Sequence, residues 1–404
     1  MIEPGELLIN DFSYELPAER IAQFPLEDRA ASKLLIYKDG AISESVFRNI
    51  SDFIPSDSFL VLNNTKVIQA RLHFHKYTGA LIEIFCLEPH HPELNLNLKG
   101  SAVWKCFVGN VGKWKEGRLK KTFEHNSIEV EIAAEILERE KDYFIVKFQW
   151  NDDVLTFENI LSDTGMTPLP PYIKRESQEI DKSRYQTVYA KIDGSVAAPT
   201  AGLHFTDEIL TGLIKKHIDI NYITLNVGAG TFKPVKSERI KDHTMHYEKF
   251  VVSKEFLVKL RDNKNNLVSV GTTTARTIES LYWLGVKLSG KRDLSYGDLI
   301  IDQWDPYNLK NELDKNESID VLIQMLDNQG KEYLSAETGM MIAPGYEYKY
   351  TDILITNFHL PKSTLLLLIA AFIGDEWKKV YEFALKNNFR FLSYGDSTIL
   401  FKQK

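Results

Sequence analysis

Cysteine is scarce in this sequence of 404 residues, which contains only Cys86 and Cys106. The two lack the C-x-x-C spacing that is typical of a zinc ligand pair. This spacing argues against a zinc site, and we expect two reduced, buried thiols.

Long apolar runs are also missing. No stretch reaches the ~18 consecutive apolar residues that a membrane-spanning helix needs, and the run from Leu365 to Phe372 is far shorter. The N-terminal MIEPGELLIND carries acidic residues and lacks the basic and then apolar pattern of a secretory signal. We therefore expect a cytoplasmic protein.

An excess of positive charge is missing as well, since the formal net charge is -7. This balance argues against a chain coated for general nucleic-acid binding, but it leaves room for a local basic patch. The candidate patch is KWKEGRLKK, whose basic residues are Lys113, Lys115, Arg118, Lys120 and Lys121. Such a run is typical of a solvated hairpin, and the alternative is a finger that contacts RNA phosphates.

The apolar segments that are present predict two structural units, in agreement with the chain length. Residues 66–150 consist of short β-branched and aromatic segments, which predicts an inserted all-β domain. Residues 1–65 and 151–404 alternate strands, polar loops and helices, which predicts an α/β domain with a mostly parallel sheet. An acidic stretch from about 285 to 328 is predicted to be a surface insertion within that domain.

Five polar loops accompany the predicted strands of the α/β part. They are SVAAPTAGLHF (195–205), GAGTFKPV (228–235), GTTTAR (271–276), NFHLPKS (357–363) and FRFLSYGD (389–396). Because ligands bind beyond the carboxyl ends of parallel strands, we expect these loops to converge on one active site.

Titratable side chains near these loops suit proton transfer close to neutral pH. They are His204, His243, His246, His359, Asp11, Asp242 and Asp396. The spacing DHTMH brings two imidazoles together, but no third ligand is evident, which argues against a metal.

The remaining polar and aromatic residues of the loops have two interpretations each. Gly228, Gly230 and the run from Thr272 to Thr274 either bind an anion or form plain turns, since GAGTF matches no phosphate-binding fingerprint. A set of aromatic side chains either stacks on a base or a cation or belongs to the core. This set is Phe205, Phe232, Phe358 and Tyr394.

Nine motifs in order resemble one known family, the S-adenosylmethionine:tRNA ribosyltransferase-isomerases. They are DFSYELP, LNNTKVIQARL, PLPPYI, APTAGLHF, VGAGTFKPV, DHTMH, VGTTTAR, TNFHLPKSTLLLL and FRFLSYGD. The resemblance implies an α/β domain with an inserted β-barrel, and an enzyme of queuosine biosynthesis. It further implies S-adenosylmethionine as ribosyl donor, 7-aminomethyl-7-deazaguanine at the wobble position of tRNA as acceptor, epoxyqueuosine, adenine and methionine as products, and no metal.

The resemblance also assigns candidate roles to residues of these motifs. As a hypothesis, His204 and His359 share the acid and base work, with Asp396 orienting them or stabilising charge. Arg276 is expected to bind the methionine carboxylate with two donors of its planar guanidinium, as a bidentate fork. Phe205, Phe358 and Tyr394 are expected to face adenine or the sulfonium. Substrate contacts are also expected from Gly228, Gly230, Thr272, Thr273 and Asn357.

Three departures from the family pattern indicate a divergent branch. VGNVGKWKEG (108–117) replaces a loop rich in lysine and proline, Lys66 and Gln69 alter the NNT motif, and the segment after VGTTTAR is longer by roughly forty residues.

One alternative is therefore an enzyme of the same fold that acts on another RNA or a free deazapurine. A second is a non-catalytic RNA-binding relative. A polyanionic substrate is favoured if the basic hairpin from Lys113 to Lys121 lines the same mouth as His204. A monomer is expected, since no heptad seam is present.

Overall fold

The computed structural model describes residues 4–90, 96–115, 117–228, 230, 235–291, 296–310 and 313–403. The strands are β1 (Lys33–Lys38), β2 (Ala41–Val46), β3 (Phe59–Asn63), β4 (Thr65–Val67), β5 (Arg71–His75), β6 (Leu81–Pro89), β7 (Ser101–Gly109), β8 (Leu119–His125), β9 (Ile128–Arg139), β10 (Phe144–Trp150), β11 (Ile192–Ser195), β12 (Asp219–Leu225), β13 (Glu248–Ser253), β14 (Leu267–Val270), β15 (Ile300–Ile301), β16 (Tyr333–Thr338), β17 (Thr351–Asn357) and β18 (Ser397–Phe401). The α-helices are α1 (Phe157–Thr164), α2 (Glu179–Arg184), α3 (Asp207–Lys215), α4 (Lys254–Asp262), α5 (Thr272–Leu288), α6 (Asp305–Asn308), α7 (Lys315–Gln329), α8 (Thr364–Ile373) and α9 (Glu376–Lys386).

A large mixed sheet forms the centre of the α/β part. Within the described residues it has ten strands in the order β15-β16-β13-β12-β3-β14-β17-β18-β1-β2. The four central strands β12, β3, β14 and β17 are parallel, whereas β13 and β18 run antiparallel to their neighbours β12 and β17. The prediction of a mostly parallel sheet therefore holds for the centre and not for the flanks. An apolar run is the same in either strand direction, so the sequence pattern could not show this difference.

The buried faces of this sheet explain why its strands are so apolar. Every residue of β3 (FLVLN) and β14 (LVSV) is buried, as expected for strands with helices on both faces. In β1, Leu35 and Tyr37 join one hydrophobic cluster, and Leu34 and Ile36 join another on the opposite face. This alternation follows from the two-residue period of a strand.

A second sheet of six antiparallel strands, all between residues 71 and 150, has the order β5-β6-β7-β10-β9-β8. Its terminal strands β5 and β8 lie close to each other, so the sheet is nearly closed into a barrel. Strand β8 lies where the sequence pattern predicts a basic hairpin, and it includes Lys120 and Lys121. Cys86 and Cys106 face each other across β6 and β7 as free, buried residues.

The segment predicted to be a surface insertion contributes to the main core. Helix α7 packs against α4 and α5, and it buries Ile319, Leu322 and Leu326 in the largest hydrophobic cluster. Its acidic residues Glu317, Asp320 and Asp327 stay at least partly exposed, which is why the composition of this stretch suggests a surface position. Residues 292–295 and 311–312 of this segment lie outside the described part. None of the described helices combines the length and apolar character needed to cross a membrane.

Candidate active site

A cavity lies at the carboxyl ends of the central strands. It is lined by residues 198–201, 271–273 and 356–360, together with Tyr172 and Ser393. We call it the strand-end cavity. Its open space, counted together with its mouth, is ≈ 730 Å³. Loops that are far apart in sequence thus meet at one place, where the strand-end rule predicts a ligand.

Helix α5 begins at this cavity. Gly271 precedes its first residue with a φ of 94°, a conformation that L side chains rarely adopt. Thr272 and Thr273, which the sequence pattern suggests to be loop residues, form the first turn of the helix and line the cavity. The N–H groups of a first turn lack partners within their own helix, so this end of α5 favours an anionic group.

His359 presents a neutral imidazole at the strand-end cavity. Burial lowers the pKa of His359 to about 3, so the ring is uncharged at neutral pH. The Tyr381 hydroxyl accepts the His359 backbone N–H at 3.1 Å and lies 3.3 Å from Nδ1. Because that hydroxyl can offer its own proton to Nδ1, the ring proton is assigned to Nε2, which lies 3.4 Å from Thr356 Oγ1.

His204 lies on the other side of the same loops and is buried as well. Its Nδ1 is 2.8 Å from Ser32 Oγ, and its Nε2 is 3.2 Å from Nδ2 of Asn357. Burial and the nearby Arg390 charge lower the pKa of His204 to about 3. His204 does not line the strand-end cavity. It lines a neighbouring cleft, which shares Ser393 with that cavity.

Asn357 connects His204 to the strand-end cavity. Its Nδ2 donates both to Leu392 O at 3.1 Å and to His204 Nε2. These bonds fix the orientation of the amide and assign the His204 ring proton to Nδ1. The carbonyl oxygen Oδ1 is buried and has no hydrogen-bond partner within the described residues. A buried acceptor without a partner is costly, so this oxygen is suited to a donor on a ligand.

Three arginines are among the residues that line the neighbouring cleft. They are Arg29, Arg184 and Arg390, and the lining also includes His204 and Tyr394. We call it the arginine cleft. The Tyr394 hydroxyl donates to Asp181 Oδ1 at 2.7 Å, which fixes this ring at the cleft rather than at the strand-end cavity.

Asp396 lies behind both cavities. Its carboxylate accepts the backbone N–H groups of Lys33 at 3.1 Å and Arg390 at 2.7 Å, and burial raises its pKa. No hydrogen bond from Asp396 to His204 or His359 occurs in the described part of the chain. The observed contacts stabilise the loop before β18, and the proposed charge-stabilising role of Asp396 stays a prediction.

Arg276 takes part in a buried ion pair with Glu248. Burial lowers the pKa of Arg276 to about 10, which still leaves the guanidinium charged. Glu248 Oε1 also accepts the Gly228 N–H at 3.0 Å and lies 3.3 Å from His246 Nε2. Arg276 does not line the strand-end cavity, and its Nε has no partner in the described part of the chain, so its role as a fork stays a prediction.

The remaining predicted contacts are divided among several environments. Phe358 lines the strand-end cavity, whereas Phe205 packs in the core against Phe47, with 5.0 Å between the ring centroids. Gly228 lines a cleft between the two sheets. Gly230 lies against His246, since a Cβ on Gly230 would come within 2.6 Å of that imidazole. Phe232 lies outside the described residues.

The basic residues of KWKEGRLKK line neither the strand-end cavity nor the arginine cleft. Arg118 pairs with Glu135 and Lys120 with Glu131, and Lys121 donates to Thr164 O at 3.3 Å. The run therefore lies away from the two cavities, and contact of these five residues with RNA stays a prediction.

Several residues at the two cavities were missed by the sequence interpretation. Tyr172, from the PLPPYI motif, has its hydroxyl 2.6 Å from Ser393 Oγ and lines the strand-end cavity. The three arginines of the cleft come from distant parts of the chain, so no spacing reveals them. Within the described residues no cluster of three His, Cys, Asp or Glu side chains could hold a metal ion.

The fold and the site together define an α/β enzyme with neutral histidines beside a strand-end cavity. A family model described as a queuosine biosynthesis protein matches residues 9–400. The chain therefore belongs to this family of S-adenosylmethionine:tRNA ribosyltransferase-isomerases.

Named relatives of similar length support this assignment. An S-adenosylmethionine:tRNA ribosyltransferase-isomerase of Thermotoga petrophila is 40% identical over 399 residues, which cover 97% of this chain and 99% of the relative. The enzyme of the same name from Legionella pneumophila (strain Corby) is 38% identical over 396 residues, with 96% and 98% covered. The crystal structure of an S-adenosylmethionine tRNA ribosyltransferase from Thermotoga maritima aligns with 30% identity, a TM-score of 0.46, and coverage of 96% of this chain and 99% of that chain.

Proposed function

We propose that this chain transfers and isomerises the ribosyl moiety of S-adenosylmethionine onto 7-aminomethyl-7-deazaguanine at the wobble position of tRNA. The products are epoxyqueuosine in tRNA, adenine and methionine. The macromolecular partner is the anticodon stem-loop of tRNA, and the enzyme acts as a cytoplasmic monomer without a metal. The names of the relatives and the family membership support this assignment.

The observation that carries the proposal is the strand-end cavity, because its lining includes the neutral His359, Asn357 with its unpartnered amide oxygen, and the first turn of α5. The reaction removes a proton from the carbon 5′ beside the sulfonium and delivers one to the departing adenine. His359 is neutral at pH 7 and is therefore suited to proton transfer. Asn357 Oδ1 accepts an N–H of the adenine or of the acceptor amine, and the first turn of α5 faces the methionine carboxylate.

Adenine release tests the proposal. The protein is incubated with S-adenosylmethionine, either alone or with tRNA that carries 7-aminomethyl-7-deazaguanine at position 34, and free adenine is quantified by chromatography. We expect release only with the modified tRNA. Binding of S-adenosylmethionine without tRNA-dependent release would exclude this acceptor and favour the alternative, an enzyme of the same fold that acts on another RNA or a free deazapurine.

A further inference from the structure

The arginine cleft concentrates positive charge in a chain whose formal net charge is -7. Arg29, Arg184 and Arg390 belong to three separate segments, and all three are partly buried along one small cleft. Burial, followed by the charge of Arg184, lowers the pKa of Arg29. Like charges are therefore held close together here, an arrangement that an anionic ligand would stabilise.

The partners of these arginines orient them without neutralising them. Arg184 donates to the backbone carbonyls of Glu27 at 2.7 Å and Leu26 at 2.6 Å, and its buried Nε has no partner in the described part of the chain. Arg29 donates to backbone carbonyls as well, at 3.1 Å to Gln186. Backbone carbonyls carry no net charge, so they fix a guanidinium and leave its charge available.

Carboxylates are few near this cleft. Among the described residues neither Arg29 nor Arg184 has a carboxylate within 4.0 Å, and Arg390 Nε lies 3.6 Å from Asp396. Asp207 acts on Arg29 only at longer range. The basic residues Arg118 and Lys120 of the barrel sheet, in contrast, already have carboxylate partners. The cleft is therefore the stronger anion site of the two basic regions.

The position of the cleft indicates which anion it takes. It shares Ser393 with the strand-end cavity, and the His204–Asn357 hydrogen bond connects the two. A nucleotide that inserts its base into the strand-end cavity places its flanking phosphates beside the mouth of that cavity. We propose that the arginine cleft binds an RNA backbone phosphodiester next to the nucleotide that is modified. This inference rests on the proposed function.

Substitutions in the cleft test this inference by direct RNA binding. Fluorescence anisotropy of a labelled anticodon stem-loop is measured with Arg29→Gln and Arg390→Gln at several salt concentrations. We expect each variant to bind about tenfold more weakly. The slope of log Kd against log salt should fall by about 0.7 for each phosphate of a single strand that the variant no longer neutralises. Arg29→Lys, which keeps the charge but not the fork, should recover part of the affinity.

Two controls distinguish a cleft effect from a general one. Arg261→Gln removes the same charge from α4, where Arg261 pairs with Asp262 and Asp320, and should leave RNA affinity unchanged. Stem-loops with a neutral methylphosphonate at either phosphate flanking position 34 identify the phosphate. When the methylphosphonate replaces the phosphate that the cleft binds, Arg29→Gln should weaken binding no further, because that phosphate no longer carries a charge. Thermal melting confirms that each variant is folded.

The competing ligand is the carboxylate of the donor. An increase in KM for S-adenosylmethionine with unchanged RNA affinity would overturn the inference and assign the cleft to that carboxylate. Unchanged values of both would overturn it as well. Neither result bears on the proposed function, which fails only if the unsubstituted enzyme releases no adenine with modified tRNA.

Discussion

Nδ2 of Asn357 donates to Nε2 of His204 across 3.2 Å, and this bond joins the two cavities of the site. On the far side of the ring, Nδ1 lies 2.8 Å from Ser32 Oγ. The series Ser32, His204 and Asn357 thus fixes the amide group of Asn357, a residue that lines the strand-end cavity. We therefore expect His204 to act on the substrate through Asn357, as a positioning residue, and its share in the acid and base work stays a prediction.

Substitution of His204 should therefore impair turnover more than donor binding. We expect His204→Asn to lower kcat on the order of 100-fold, while KM for S-adenosylmethionine changes by less than about threefold. The measurement is steady-state adenine release with saturating modified tRNA. An unchanged kcat would remove His204 from the mechanism.

A double-mutant cycle provides the control for this interpretation. Asn357→Ala should lower kcat to a similar extent, because it removes the amide oxygen that His204 orients. If the two residues act as a unit, the double variant should be scarcely slower than either single one. If the two decreases in kcat multiply in the double variant, the proposed connection between His204 and Asn357 is contradicted.

Stability should depend on pH through the two buried histidines. Burial lowers the pKa of both His204 and His359 to about 3, whereas an unfolded histidine has a pKa near 6.5. Below pH 6.5 the unfolded chain therefore binds protons that the folded chain does not, and the free energy of unfolding falls as the pH decreases toward 3. The expected decrease is about 1.4 kcal/mol per pH unit for each histidine.

Urea unfolding at pH 7.5 and pH 5.5 measures this decrease. His204→Asn and His359→Asn should each reduce the difference between the two pH values, to which His243, whose pKa burial also lowers, contributes in the same sense. Asp396 acts in the opposite sense, because its raised pKa contributes stability at acid pH that is lost as pH rises through that value. A decrease that neither histidine variant reduces would show that other groups cause it.

The pair of Arg276 and Glu248 should be important for stability. Glu248→Gln leaves a buried guanidinium without its carboxylate, which costs about 3–5 kcal/mol in the free energy of unfolding. Asp320→Asn, which breaks the more exposed pair with Arg261, should cost only about 0–1 kcal/mol. Urea unfolding of both variants at pH 7 provides the comparison, and equal costs would contradict the buried pairing.

The position of the strand-end cavity follows from the sequence to a large extent. Fully apolar runs such as β3 and β14 indicate central strands, and polar loops at their ends predict where a ligand binds. A run of threonines has low helix propensity and therefore predicts a loop at Thr272, yet this residue begins α5. Here the packing of a 17-residue helix outweighs the preference of its first turn.

The arginine cleft could not be predicted in the same way. Arg29 and Arg184 are 155 positions apart in the sequence, and Arg390 follows α9. Their proximity depends on the parallel pairing of β1 with β18 and on the path of the chain around α2. Local patterns contain no information on such long-range contacts, whereas the basic run KWKEGRLKK is conspicuous in sequence and lies away from both cavities.

Two helix-interior glycines should respond in opposite ways to alanine. A Cβ on Gly285 of α5 would lie 2.0 Å from the backbone oxygen of Ser318 in α7, so Gly285→Ala must separate the two helices. We expect a decrease of about 1–3 kcal/mol in the free energy of unfolding. Gly212 of α3 has no atom within 4 Å of the position of a Cβ, and Gly212→Ala should gain about 0.5–1 kcal/mol from helix propensity. Thermal or urea unfolding measures both variants, and a Gly285→Ala protein as stable as the unsubstituted one would mean that α7 does not pack on α5 at this point.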